Sequence, residues 1–339
     1  MCFRITSIHQ CLHIVLTVFL LHFANAEADD QVPEFFTFTF ENDLFVGDDN
    51  GYTNGMGITF GEGPFKEFNN DNLPNWLHWL AKDLYVSTME TKQRGVAHMF
   101  FQRMQTPEDL SASELIIDDL PYAGLLAWQC TLYAWDDRVA DQLSLYLGAV
   151  GPITLAEQSQ TLIHELLGAD EPKGWDNQIE NEPIFKVEVQ RIWTLYRSAG
   201  KGKQFDILGL WGAGIGNLES ATKAGLAIRW GTNLRHSFPA FSLQVDRQVN
   251  PLALTPDDDF YLFLGARGGV IFNDILIDGN TFKDSHSLPL EHIQDQVAAG
   301  VVWSIGNNAF VFQISSISSN TDVINERNEF GALSYTHRF

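Results

Sequence analysis

The sequence predicts an all-β fold, an antiparallel transmembrane β-barrel of about twelve strands with a short helix in one outer loop. Three observations carry this. Apolar residues recur with a period of two in many separate segments. After residue 26 no stretch approaches the ~18 consecutive apolar residues of a spanning helix. The last segment ends on an aromatic carboxy-terminal residue, with Tyr335, His337 and Phe339 on one face, like the terminal strand of bacterial outer-membrane barrels.

Composition agrees. Of 339 residues, 45% are hydrophobic and 12% aromatic, with 27 Gly and 25 Phe, which is too much apolar surface for a disordered chain. The net charge of −22 would be repelled by phosphate backbones, so nucleic acid is not expected as a partner.

Residues 1–26 read as a cleaved secretory signal peptide. Arg4 precedes an apolar run, 14–21, and Ala24-Asn25-Ala26 supplies the cleavage pattern. An N-terminal membrane helix is the other reading, but the run is far below the ~20 residues needed to span. Residues 27–339 then form a single outer-membrane barrel domain. The leader carries one basic and no acidic residue, so the remaining 313 residues carry −23. Cys2 and Cys11 leave with it. Cys130 remains alone, a small lipid-facing or packed residue with no disulfide partner.

Strands follow from alternation. Phe36, Phe38 and Phe40 point one way, and Thr37, Thr39 and Glu41 the other. Met56, Ile58 and Phe60 alternate with Gly57, Thr59 and Gly61; Leu143, Leu145 and Leu147 alternate with Ser144, Tyr146 and Gly148. The expected strands are 34–43, 54–62, 94–104, 122–134, 141–151, 184–196, 204–217, 222–232, 259–271, 292–305, 308–318 and 328–339. A soluble sandwich or lipocalin-like barrel would place the apolar set inside. Here the Thr, Ser, Gly, Gln and Asn set reads as the lumen and the Phe and Leu set as the lipid face.

With the amino end in the periplasm, the outer loops fall near 44–53, 105–121, 152–183, 218–221, 272–291 and 319–327. Two inner connections, 63–93 and 233–258, are long. In the first, Trp76, Leu77, Leu80 and Leu84 are spaced as a helix face. They suggest a short interfacial helix or, equally, a cap packed on the barrel end.

In the third outer loop, Thr154-Leu155-Ala156-Glu157 fits a capping box with Thr154 as N-cap. The helix it starts bears His164. A lone helical His is more often structural than catalytic. A second cluster, Glu41-Asn42-Asp43 with Thr53-Asn54-Gly55, lies at the outer ends of the first two strands. Its hard oxygen donors suit Ca²⁺. The intervening residues 47–51 read simply as a turn. No Gly-x-Ser-x-Gly elbow, P-loop, His-Glu-x-x-His or Cys-x-x-Cys motif is present.

The ordered set Glu41-Asn42-Asp43, Tyr52-Thr53-Asn54-Gly55, Gln102, Thr106-Pro107, Asp119-Leu120-Pro121-Tyr122-Ala123-Gly124, Gly148-Ala149-Val150-Gly151-Pro152, Gln160-x-x-x-His164, Gly168, Gly174-Trp175, Gln178-Ile179 and Asn181-Glu182 resembles the outer-membrane lipid A 3′-O-deacylase family. The resemblance implies a Ca²⁺-dependent carboxylic ester hydrolase acting on lipid A of lipopolysaccharide, among the lipids of the bacterial outer membrane. It implies His164 as general base, with Asn42, Asp43 and Thr53 in the catalytic site and Asp43 and Asp170 as metal ligands. The family's active-site Lys has no equivalent in 108–119, which is acidic and holds no Lys or Arg. Another outer-membrane lipid esterase, phospholipase-like, and a non-enzymatic barrel are the alternatives.

Overall fold

The computed structural model describes residues 34–46, 52–167, 172–200, 202–237, 241–243 and 259–339, without the side chains of 34, 44, 52–54, 163, 166 and 167. The expected leader 1–26, the turn 47–51 and Asp170 lie outside the described residues. The twelve strands are β1 (Glu34–Asn42), β2 (Tyr52–Phe65), β3 (Gln93–Gln105), β4 (Ala123–Trp135), β5 (Val139–Val150), β6 (Glu182–Arg197), β7 (Gln204–Gly216), β8 (Glu219–Gly231), β9 (Asp259–Asp274), β10 (Ile293–Ile305), β11 (Asn308–Ile317) and β12 (Asn328–Arg338). Each pairs antiparallel with its sequence neighbours, and β1 pairs with β12, so the sheet closes. Among the described residues, five short helices join them: α1 (Asn75–Ala81), α2 (Tyr85–Thr88), α3 (Ala156–Leu167), α4 (Leu234–Ser237) and α5 (Ile275–Asp278). The end bearing the short turns is the periplasmic end.

The period of two decides which way each side chain points. On β1, Phe36, Phe38 and Phe40 face out, whereas Thr37, Thr39 and Glu41 are buried in the lumen. Inside the seam, Thr37 and Thr336 share a hydrogen bond of 2.7 Å, and Thr39 and Ser334 one of 3.0 Å. The outer face carries exposed Phe100, Leu126, Leu147, Leu226, Leu264 and Trp303. A membrane solvates that belt; water would not.

The lumen is not polar throughout, contrary to the simple alternation. At the periplasmic end Phe35, Tyr133, Trp135, Tyr261 and Phe263 point inward and pack with Leu234, Phe241 and Leu243 from the long connection after β8. This apolar floor is pinned by a buried ion pair. Arg229 donates from Nη2 to Asp206 Oδ2 at 2.7 Å and from Nε to Asp206 Oδ1 at 3.0 Å. Its remaining donors reach the Ser237 hydroxyl and the Leu234 carbonyl. A buried pair is tolerable only when its other donors are satisfied in this way.

The connection between β2 and β3 lies on the outside of the wall, not in the barrel mouth. Its helix α2 packs against β4 and β5. Beneath it the outward positions Val96, Cys130 and Leu132 are buried, although Leu126 on the same face of β4 is exposed. Trp76 meets outward-facing Trp128 with ring centroids 6.1 Å apart. The Arg94 guanidinium fastens the segment, donating to the carbonyls of Lys66, Ser87, Met89 and Lys92.

Candidate functional site on the outer wall

The site begins with two glycines and a small patch of wall. Gly151 leaves β5 with φ of +93°, which only glycine adopts easily, and a 3-10 turn, Pro152–Thr154, follows. The expected capping box does not form. The Thr154 hydroxyl donates to the Gly151 carbonyl at 2.7 Å and so caps nothing. Leu155 takes the left-handed conformation (φ 59°), and α3 starts one residue later. The tight exit from the strand uses the hydroxyl first, which a local motif cannot show.

Helix α3 is seated on the lipid-facing side of β3 and β4. Gly124 lies directly beneath it, since a Cβ there would meet Thr154 Oγ1 at 2.2 Å. Met104, at an outward position of β3, is buried with Tyr122, Ala156 and Trp175. Burial of side chains this large contributes about 1.5–3 kcal/mol each. Polar contacts fix the orientation. Gln102 Nε2 donates to the Thr154 carbonyl at 2.7 Å, and Trp175 Nε1 to Gln160 Oε1 at 2.8 Å. The Ile153 amide donates to Asn181 Oδ1 at 2.7 Å. The acidic loop is sewn to this layer, with Lys173 N–H donating to the Leu110 carbonyl and Asn177 Nδ2 to that of Ser113. Ser111 holds the Asp109 carboxyl below the usual carboxylate range through its hydroxyl and amide.

His164 sits near the end of α3, half-buried. Asn42 is the last residue of β1, at an outward position, and Asp43 opens the 3-10 turn Asp43–Phe45. Both are buried, Asp43 to 2% exposure. Phe45 folds that turn back over Gly331 and packs against Phe40 and Phe312 on the lipid face. Glu41 pairs with Gly55, so Asn42 stands level with Asn54. Thr53 is the extra residue of a β-bulge between the Tyr52–Gln105 and Asn54–Met104 pairs. Bulges commonly re-aim side chains beside active sites. The structure therefore brings Asn42, Asp43 and the backbone of Thr53 to adjoining strand ends, and places His164 on a helix seated on the same outer wall.

The donor chemistry suits a hard cation, because a buried carboxylate beside a buried amide offers oxygen ligands. Among the described residues, no group of three or more His, Cys, Asp or Glu gathers as a metal cluster. An internal cavity of about 130 Å³ lies in the lumen, lined in part by Arg103, Glu219, Lys223 and Arg267. Lys223 is paired there with Glu219 at 2.5 Å, and Arg267 donates to Gln296 at 2.7 Å. Strands β3 and β4 separate that cavity from α3.

The wall patch of Met104, Tyr122 and Gly124 was not singled out as a seat from sequence. Its one signal was the Tyr122-Ala123-Gly124 run, which places a glycine where lipid-facing strand positions are bulky.

A closed antiparallel barrel with an apolar outer face, and with Asn42, Gln102 and the helix that bears His164 on that face, defines an outer-membrane protein whose candidate site faces lipid. The chain belongs to the LpxR family of outer-membrane lipid A deacylases: the family model described as outer membrane protein LpxR matches residues 12–339. In fold it is similar to LpxR from Salmonella typhimurium, at 14% identity and a TM-score of 0.76, covering 90% of this chain and 100% of that one. More distant likenesses include the β domain of the Bordetella autotransporter BrkA (10% identity, TM-score 0.43, 91% and 99% covered). Another is the COG4313 outer membrane channel from Pseudomonas putida F1 (12%, 0.41, 93% and 98%). No curated protein matches the chain.

Proposed function

We propose that this chain is a lipid A 3′-O-deacylase, hydrolysing the ester-linked acyloxyacyl group at the 3′ position. The observation that carries the reading is the seat of α3. It holds His164 on the lipid-facing wall at the outer end, on the side of the barrel where Asn42 and Asp43 are buried. Lipid A lies in that leaflet, so its ester can reach these residues without entering the lumen.

In this reading, the neutral His164 imidazole takes a proton from water as the oxygen attacks the ester carbonyl. The Asn42 amide donates to the developing oxyanion. Thr53, at the backbone bulge beside them, is the further catalytic-site residue that the resemblance implies. His164 then gives the proton to the sugar oxygen as its bond to the acyl carbon breaks, releasing the sugar hydroxyl and the fatty acid. Asp43 and Asp170 would hold Ca²⁺, which when bound polarises the carbonyl and offsets oxyanion charge. Direct water attack is favoured because no serine nucleophile has been identified.

The test is lipid A mass spectrometry on cells expressing wild type or His164→Ala, with and without chelator. Loss of the 3′ acyloxyacyl mass only in the untreated wild type is expected. Unchanged spectra in all arms would refute the reading. Fatty acid release from phospholipid, with lipid A intact, would select a phospholipase instead.

A further inference from the structure

The connection between β2 and β3 presents an apolar surface that ester hydrolysis does not use. On α1, Leu77 and Ala81 face the barrel and are buried, Trp76 touches the wall with half its surface exposed, and Trp79 and Leu80 face away, Trp79 at 69% exposure. Of its residues only Asn75 and His78 are polar. A helix apolar on both faces belongs between two apolar phases, not at the edge of water.

One of those phases is the wall. The second is identified by what adjoins the helix. Trp76 rests on Trp128, and the outward residues level with Trp128 are Phe100 and Leu147, both exposed on the lipid face. The outer surface of α1 thus continues the lipid-facing belt at its periplasmic end. The charges just beyond it, Lys82 and Asp83, pair with each other at 3.7 Å and gather no single sign for a charged protein partner.

We propose that α1 is immersed in the periplasmic leaflet of the outer membrane, with phospholipid acyl chains as its partner, and that segment 66–92 is a membrane buttress on one side of the barrel. On β4 the bare wall then shrinks to the stretch around Leu126, between the seat of α3 at Gly124 and the seat of α1 at Trp128. The far wall stays bare along Leu226, Ile228 and Trp230 of β8. The grip of α1 in one leaflet fixes the depth of α3 in the other.

The experiment uses the purified full chain in phosphatidylcholine vesicles, with a nitroxide placed at Trp79→Cys, Leu80→Cys or Asp83→Cys. Native Cys130 is buried and stays unlabelled in the folded barrel. Collisions with oxygen, which concentrates in bilayers, are compared with collisions with a water-soluble nickel chelate. Heat-dependent gel mobility verifies folding of each variant, and the measurement needs no hydrolysis. Oxygen is expected to dominate at 79 and 80, and the nickel chelate at 83. Nickel dominance at 79 and 80 in folded protein overturns the proposal. So does oxygen access at 79 that disappears in native outer-membrane fragments, which would assign the face to a protein.

Discussion

Gly124→Ala tests whether the seat of α3 matters. The added Cβ would lie 2.2 Å from Thr154 Oγ1 and 2.5 Å from Ala156 Cβ. Ordinary contact is about 3.5–4.0 Å, so the helix must lift by roughly an ångström or more. Thr154 has little freedom to yield, since its hydroxyl is held by Gly151 and its carbonyl by Gln102. Overpacking of this kind costs about 1–3 kcal/mol. At a factor of ten per ~1.4 kcal/mol, the seated population and the deacylation rate fall between about 5-fold and about 150-fold. The Gly124–Met104 strand pairing is untouched, so the barrel persists. Gly268→Ala is the control, because its Cβ would meet only the Gln294 carbonyl at 3.7 Å. The assay is initial-rate lipid A mass spectrometry with heat-dependent gel mobility as the fold check. Wild-type rates in a folded Gly124→Ala barrel, or equal losses in both variants, would refute the reasoning.

Three further outcomes follow from the geometry. Arg229→Met strands the buried Asp206 carboxylate and should cost about 3–5 kcal/mol, read as a lower guanidinium midpoint; adding Asp206→Asn should restore much of it. Trp175→Phe removes the donor to Gln160 at a cost of about 0.5–1.5 kcal/mol, and Trp175→Ala empties the cluster at about 3–5 kcal/mol; deacylation should fall in that order while the barrel midpoint holds. At the periplasmic end, the hydrogen bond from Arg235 holds the Asp137 carboxyl below its usual range. That tether is complete above the ordinary carboxylate value of about 4 and fades as pH falls through the lowered one. The protection factor of the His236 amide, which donates to the Asn233 carbonyl on the helix that carries Arg235, should therefore fall on acidification in wild type and be low, with no acid step, in Asp137→Asn.

Twelve strands were legible because a barrel between lipid and lumen imposes period-two contrast on every strand. Phe36, Phe38 and Phe40 against Thr37, Thr39 and Glu41 is that contrast in one line, and the structure keeps it. What escaped was everything decided by tertiary neighbours. The connection 63–93 revealed a helix but not which wall it would cover. Phe241 and Leu243 read as part of a long inner connection and became the lumen floor. Thr154 carried a capping signature, yet the strand exit at Gly151 claimed its hydroxyl. At the candidate site, the residues were named by the resemblance. Gln102, Gly124, Gly151, Gln160, Trp175 and Asn181 turn out to hold α3 in place, so much of what made the motif recognisable is scaffolding.

The pairing of β1 with β12 has a consequence for how the molecule is made. The Thr37–Thr336 contact joins positions 299 apart in the chain. Until the final strand arrives, the growing sheet has two unpaired edges and an apolar outer face, both of which invite association with other chains. No smaller closed ring is available along the way, because each earlier strand pairs only with its sequence neighbours. A chain cut before Asn328 is therefore not a slightly weakened barrel but an open ribbon. The seam acts as a completeness check: only a chain synthesised through its last strand can leave the assembly line with no edge exposed.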